Sequence, residues 1–283
     1  MASPGVTGAR SARVKFARRL ATRSLRHEQR QFLVEGAQAI GEALAEMRAA
    51  ASPVPGQAGN VVVRELFVSA EAAAHHQDLV SAAQELLVPV RMSAEEVFAA
   101  LSDTVTPQGM VAVCDFLDQP LSDILDRAPQ LVVLLAEVRD PGNAGSVIRA
   151  ADAAGADAVV FSTGSVDPYN SKVVRASVGG LFHLAIAADV DVTTGIEQLR
   201  AAGLQVLAAD GGGSVSLDDA NSKELLVRPT AWVFGNEARG LTPDVRDASD
   251  EVVAIPIYGR AESLNLATAA TLCLYASARA MAT

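Results

Sequence analysis

From residue 131 to the end of the chain, short apolar runs alternate with helical segments, and that alternation constrains the fold more than any other feature. Leu131-Val132-Val133-Leu134-Leu135 is apolar without interruption, which suits a strand buried on both faces of a parallel sheet. Further strands are predicted over 158–161, 184–186, 205–208, 231–234 and 252–255. Helices are predicted over 146–154, 172–179, 192–202 and, as a long alanine-rich closing segment, 264–282. Alternation of this kind gives an α/β domain with a parallel sheet covered by helices.

The first part of the chain reads as a separate α/β unit. A basic helix is expected over 11–30, a strand over 32–36, and a helix over 37–50 with apolar Ile40, Ala43, Leu44 and Met47. A strand over 61–68, a helix over 70–87 and a strand over 87–90 follow. Ser93 is expected to cap a helix starting at Ala94, with Glu96 in the capping-box position. A turn at Thr106-Pro107-Gln108-Gly109 then leads into a strand over 110–116. Residues 1–10 read as flexible and 51–60 as a loop rich in Pro and Gly. The resulting division is 1–118, a linker over 119–130 with one helical turn, and 131–283.

Charge is segregated. The chain carries 23 basic and 33 acidic side chains, a net of −10. Residues 1–30 hold eight of the basic groups (Arg10, Arg13, Lys15, Arg18, Arg19, Arg23, Arg26, Arg30) and one acid, Glu28, a net of +7; the remainder is 15 minus 32, or −17. A basic segment on an acidic body is what the footprint of a nucleic-acid contact looks like, ahead of the alternative of a solvated basic tail. Hydrophobic residues make up 50% of the chain, which excludes a disordered protein. No run approaches the roughly 18 apolar residues of a membrane helix, and the start has no signal-peptide core. Cys114 and Cys273 lie in apolar stretches without a partner at metal spacing and read as buried thiols in a reducing compartment. His27, His75, His76 and His183 are scattered, with no metal or triad spacing. The expectation is a cytoplasmic protein without membrane or metal. Aromatics are only 4% of residues, so few stacking platforms for single strands are available.

Three segments carry candidate chemistry. Arg139-Asp140-Pro141-Gly142-Asn143-Ala144-Gly145-Ser146-Val147-Ile148-Arg149 follows a buried strand and opens a helix, where free N–H groups and the dipole favour an anion. Asn143 is a candidate cap there, and the Arg149 guanidinium a candidate phosphate clamp. Neither a dinucleotide fingerprint nor a Walker loop is present, which disfavours a nicotinamide enzyme. Phe234-Gly235-Asn236-Glu237-Ala238-Arg239-Gly240-Leu241 follows a second strand; Gly235 permits close approach of a ligand, while Glu237 is either a site carboxylate or the ion-pair partner of Arg239 or Arg246. In Ile255-Pro256-Ile257-Tyr258-Gly259-Arg260-Ala261-Glu262-Ser263-Leu264-Asn265, Ser263 is a candidate cap of the last helix. The run Ala209-Asp210-Gly211-Gly212-Gly213-Ser214 reads as a flexible loop after a strand, on the surface ahead of the alternative that it lines a pocket.

Together, in this order, the three segments resemble the signature motifs of the SpoU (TrmH-type) branch of the SPOUT RNA methyltransferases. Residues 13–117 resemble the L30e-like RNA-binding extension common in that family, with Phe32 to Gly36 at its Phe-x-x-Glu-Gly. Ala238 departs from the glycine of many relatives. The resemblance implies a parallel-sheet domain tied in a deep trefoil knot, a homodimer, and S-adenosyl-L-methionine as cofactor, held by Phe234, Gly235, Ile255, Pro256, Ser263 and Leu264. It implies a reaction centre of Asn143, Arg149, Glu237, Ser263 and Asn265. The activity implied is 2′-O-methylation of ribose in structured RNA, with ribosomal RNA favoured over tRNA, and RNA contacts from the eight basic residues of the first 30 and Arg139. A guanidinium stays protonated in proteins, so Arg149 is expected to grip phosphate, and the proton acceptor is left open between phosphate, water and Glu237. Some relatives of this kind protect actinomycete ribosomes against avilamycin or thiostrepton; self-resistance and housekeeping modification fit the residues equally. A non-catalytic RNA-binding or ribosome-assembly factor on the same fold is the alternative, and it predicts damaged motifs, whereas Asn143, Arg149, Glu237 and Asn265 are all present.

Overall fold

The structure, a computed structural model, describes residues 6–50, 61–102, 104–222 and 224–282; the loop expected over 51–60 lies outside them. In chain order the elements are α1 (Ala12–Arg19), α2 (Arg23–Gln29), β1 (Gln31–Glu35), α3 (Ala37–Ala50), β2 (Val63–Val68), α4 (Ala70–His75), α5 (Gln77–Glu85), β3 (Val90–Met92), α6 (Glu95–Leu101), β4 (Met110–Asp115), α7 (Leu121–Leu125), β5 (Leu131–Leu135), α8 (Pro141–Ala153), β6 (Ala158–Ser162), α9 (Ser171–Ser177), β7 (Ala185–Val190), α10 (Val192–Ala201), β8 (Gln205–Ala209), β9 (Val215–Ser216), α11 (Leu217–Ser222), β10 (Thr230–Phe234), α12 (Pro243–Ala248), β11 (Glu251–Ala254) and α13 (Leu266–Met281). They form two compact units: residues up to Leu117 with Tyr169–Phe182, and Asp118–Pro168 with the chain from His183. Among the described residues no helix is long and apolar enough to cross a membrane.

The first unit is built on a four-stranded sheet of order β1-β4-β2-β3, antiparallel except between β2 and β3. The basic segment is two helices, not one. Ser11 Oγ accepts from Val14 N and starts α1, which buries Val14 and Ala17 among Phe67, Phe98 and Val111 and leaves Lys15, Arg18 and Arg19 exposed. Arg26 is buried, and its Nη1 donates to Leu20 O (2.9 Å) and Ala21 O (2.7 Å), satisfying carbonyls that the end of α1 leaves open. The predicted helix over 70–87 also breaks, at His76, into α4 and α5. Ser93 does not cap α6: Ala94 holds that position, while Thr7 pairs with Ser93, so residues near 7 are tied down and not free. Tyr169 stacks on Phe116 (3.8 Å between centroids) and packs on Phe32 (4.7 Å), and its hydroxyl accepts from Leu117 N (2.8 Å). That cluster anchors Tyr169–Phe182, a stretch within the sequence of the second domain, to the first unit.

The second unit holds a seven-stranded parallel sheet of order β7-β6-β5-β10-β8-β11-β9. The two latest strands enter between older ones: β10 lies between β5 and β8, and β11 between β8 and β9. The expected linker contributes α7, whose Leu121 and Ile124 belong to the core beside Val132, Leu134, Val160 and Val233. Both cysteines are free and buried, and burial pushes their pKa values far above the ordinary thiol range. Trp232, the sole tryptophan, is fully buried on β10 and donates through Nε1 to Ser277 Oγ on α13 (2.9 Å). Removing that acceptor strands a buried donor. Ser277→Ala is expected to destabilise the second unit by about 1–3 kcal/mol, read as a lower urea midpoint in Trp232 fluorescence; an unchanged midpoint would mean the bond contributes nothing.

Candidate active site

The three motifs follow β5, β10 and β11, and in a parallel sheet the C-terminal ends of these strands share one edge. The helix of the first motif begins five residues earlier than predicted, at Pro141. Asp140 is its cap and accepts from Asn143 N (2.7 Å), with Pro141 at the first helical position. Asn143 is therefore inside the first turn, and its side chain is free for other work. Ser263 is likewise not the cap of α13; Asn265 is, accepting from Ala267 N (2.9 Å) and Thr268 N (3.3 Å).

One hydrogen-bond chain links the motifs. Glu237 Oε1 accepts from Asp140 N (3.0 Å) and Asn143 Nδ2 (3.2 Å), and its Oε2 accepts from Arg139 N (3.2 Å). Asn143 Oδ1 accepts from Asn265 Nδ2 (2.8 Å). The direction of the chain is forced. A carboxylate only accepts, so Asn143 must present its Nδ2 to Glu237 and its Oδ1 to Asn265; Asn265 must then present Oδ1 to the N–H groups of α13, which only donate. Partial burial pushes the Glu237 pKa up, but bonds from its own N–H, Arg139 N–H, Asn143 Nδ2 and Asp140 N–H outweigh it and hold the carboxyl below the usual glutamate range. Such a group is a clasp and a weak base. Neither Arg239 nor Arg246 pairs with it: Arg239 Nη2 meets Glu137 (2.7 Å) and Arg246 Nη1 meets Asp210 (3.9 Å).

Asn236, which the sequence did not single out, sits at the centre of the second motif. It is largely buried; its Nδ2 donates to Glu137 O (2.8 Å) and its Oδ1 accepts from Ala238 N (3.0 Å) and Arg239 N (3.2 Å). An Asn directly after a strand that turns back on its own backbone is a readable signal for such a loop. Gly235 lines a cavity and is also required by the fold of its own loop. A Cβ there would lie 2.5 Å from the Gly240 carbonyl carbon and 2.7 Å from Leu241 N, so the loop's own backbone fills the space.

These residues border a cavity of about 820 Å³. Its lining includes every position expected to hold cofactor (Phe234, Gly235, Ile255, Pro256, Ser263, Leu264) and, of the expected reaction centre, Asn143, Glu237, Ser263 and Asn265. Ala209, Asp210 and Gly211, expected on a surface loop, also line it, because β8 ends between β10 and β11. Apolar walls from Phe234, Ile255, Pro256 and Leu264 beside the carboxylates of Asp210 and Glu262 suit a ligand with a flat apolar part, hydroxyls and positive charge. Arg149 is outside this lining: it lies exposed on α8 and makes no hydrogen bond or ion pair among the described residues. Of the basic residues expected to meet RNA, Arg10, Arg13, Lys15, Arg18, Arg19, Arg23 and Arg30 are exposed. Arg30 lies over the Phe116 ring (4.8 Å) and Arg13 near Glu65 (3.5 Å). Arg26, being buried on backbone carbonyls, leaves that set.

A parallel α/β unit with a ligand cavity at the carboxyl ends of its strands, closed by loops from three strands, defines a cofactor-binding enzyme domain. Residues 130–275 match the model of the SpoU rRNA Methylase family, and residues 11–112 match that of the MRM3-like substrate binding domain. The chain belongs to the SpoU rRNA methylase family. It is 31% identical over 270 residues to RlmP of Bacillus subtilis, a 23S rRNA (guanosine(2553)-2′-O)-methyltransferase, covering 95% of this chain and 97% of that protein. Among solved structures it resembles the AdoMet-bound rRNA methyltransferase of Sinorhizobium meliloti (TM-score 0.80, 29% identity, 97% of this chain and 98% of that one). It also resembles the AviRb methyltransferase of Streptomyces viridochromogenes in complex with AdoMet (TM-score 0.77, 31% identity, 95% and 98%).

The clasp predicts a local consequence of Glu237→Gln. Hydrogen bonds to a charged group are worth about 1.5–3 kcal/mol each, so amide exchange at Arg139 and Asp140 is expected to rise by about tenfold or more. Because the Glu237 pKa is depressed, the clasp is complete above the ordinary glutamate value of about 4.3 and is lost as pH falls through the lower folded value. Protection of these amides, corrected for intrinsic exchange, is therefore expected to stay level between about pH 7 and 5; protection that faded in that interval would show the carboxyl is not held ionised.

Proposed function

We propose that this protein is an S-adenosylmethionine-dependent RNA 2′-O-ribose methyltransferase acting on 23S rRNA. The observation that carries the reading is the coincidence of the expected cofactor positions with one cavity, joined to the Glu237–Asn143–Asn265 chain. The match to RlmP across nearly the whole of both chains favours ribosomal RNA over tRNA. The cofactor, when bound, supplies an electrophilic methyl group on a sulfonium.

The chain's own residues then have separable tasks. Phe234, Ile255, Pro256 and Leu264 wall the cofactor cavity, with Gly235 and Ser263 contributing at its edge. Glu237, Asn143 and Asn265 keep the three loops in register, so the cavity is preorganised before RNA arrives. Arg149, exposed and unengaged among the described residues, grips the phosphate next to the target ribose and orients the 2′-hydroxyl. Glu237 is committed to four donors, so the hydroxyl proton leaves to phosphate or water. The exposed basic residues of α1 and α2 and of their flanks bind the RNA backbone.

The late entry of β10 and β11 into the middle of the sheet supports the trefoil knot of the SPOUT fold. Leu272 and Tyr275, exposed apolar side chains three apart on α13, support a homodimer. We place the enzyme in the cytoplasm. Routine rRNA maturation and self-protection against avilamycin or thiostrepton are separated by drug susceptibility of cells with and without the protein.

The test is transfer of labelled methyl to unmethylated bacterial 23S rRNA, beside a tRNA pool. Label in 23S rRNA at an alkali-resistant linkage is expected, with Arg149→Ala reducing the rate by about 100-fold or more. Label in tRNA alone would overturn the substrate, and Arg149→Lys with nearly full activity would overturn bidentate gripping.

A further inference from the structure

Two guanidinium groups converge on one carboxylate beside the cavity. Glu137 Oε2 lies 2.7 Å from Arg239 Nη2 and 3.9 Å from Arg139 Nη2. The two arginine side chains are 64% and 66% exposed. Ion pairs as open as these add little to stability. Yet the backbone beneath them is held with unusual care. The Asn236 side chain ties Glu137 O to Arg239 N, and Glu237 Oε2 accepts from Arg139 N. Glu137 has φ 54°, a left-handed conformation that a non-glycine residue adopts only when its surroundings impose it. Both arginines are thus fixed at the backbone and open at the tips. Arg239 adjoins Gly240, and Arg139 is bonded to Glu237; both of those partners line the cavity.

We propose that Arg139 and Arg239 are a phosphodiester-binding pair for the RNA backbone beside the methylated ribose, and that Glu137 is the resident anion an RNA phosphate replaces. The proposal rests on the RNA methyltransferase reading and adds Glu137 and Arg239 to the residues that position substrate. Guanidinium forks match phosphate oxygens in geometry and charge. Without RNA, Glu137 relieves the repulsion between the two cations and limits their rotamers, so less side-chain freedom is lost on binding. The pair also answers an electrostatic problem. Beyond residue 30 the chain carries a net of −17 (15 basic, 32 acidic), so a local cationic grip is required where RNA approaches the cavity.

The experiment measures the affinity of the full-length protein for unmethylated 23S rRNA as a function of KCl, with S-adenosylmethionine affinity measured in parallel. Arg139→Ala and Arg239→Ala are each expected to weaken RNA binding several-fold and to reduce the slope of log affinity against log salt by about 0.7–0.9. Glu137→Gln is expected to tighten RNA binding several-fold, because the competing carboxylate is gone. Cofactor affinity is expected to stay unchanged in all three. An Arg139→Ala/Arg239→Ala double variant with the wild-type slope would overturn the pair. Glu137→Gln binding RNA as weakly as Arg239→Ala would overturn the exchange with phosphate. The slope reads binding alone, so a wild-type protein that bound RNA without methylating it would count against the catalytic reading and leave the phosphate pair standing.

Discussion

The site depends on a single directional hydrogen-bond chain. Glu237, from the loop after β10, takes three donors from the segment after β5, and Asn143 of that segment passes the chain to Asn265 at the start of α13. Each link fixes the next because an ionised carboxylate can only accept and the first N–H groups of a helix can only donate. Loops from strands 94 to 122 residues apart in sequence are thereby held in one arrangement. Donors from this chain hold the Glu237 carboxyl ionised below the usual glutamate range, which makes it a weaker proton acceptor than a free carboxylate.

Topology supplies what the hydrogen bonds join. A parallel sheet grown outward strand by strand would leave the three motifs separated along its edge. Here β10 enters between β5 and β8, and β11 between β8 and β9, which brings the ends of β10, β8 and β11 around one cavity. The crowding this creates is visible in the glycines: a Cβ at Gly213 would lie 2.5 Å from Val252 O, and one at Gly235 equally close to Gly240. At both positions the chain passes so near itself that a side chain has no room.

Much of this was legible beforehand, for identifiable reasons. The strands were read well because runs such as Leu131–Leu135 and Ala158–Ser162 are buried on both faces and carry no polar interruption. Helix starts were read less well. Gly142 and Gly145 lower helix propensity enough to hide the first turn of α8, although Asp140 and Pro141 are good cap and first-turn residues. The division of 11–30 into two helices follows from a tertiary contact, Arg26 on the carbonyls of Leu20 and Ala21, that no periodicity encodes. The same holds for Tyr169–Phe182, whose place in the first unit is set by aromatic partners distant in sequence. The site residues were recognised by motif, but their roles were not. Asn143 and Ser263 look like two independent caps in sequence, whereas in the structure Asp140 and Asn265 cap and Asn143 bridges.

The claim that the Glu237–Asn143–Asn265 chain assembles the site is tested most directly by a double-mutant cycle. S-adenosylmethionine affinity would be measured for the wild type, Asn143→Ala, Asn265→Ala and the double variant. The account predicts strong non-additivity, with a coupling of about 0.5–3 kcal/mol and a double variant little worse than either single one. Additive losses would mean the two asparagines act independently, and the site would then be held together by something other than this chain.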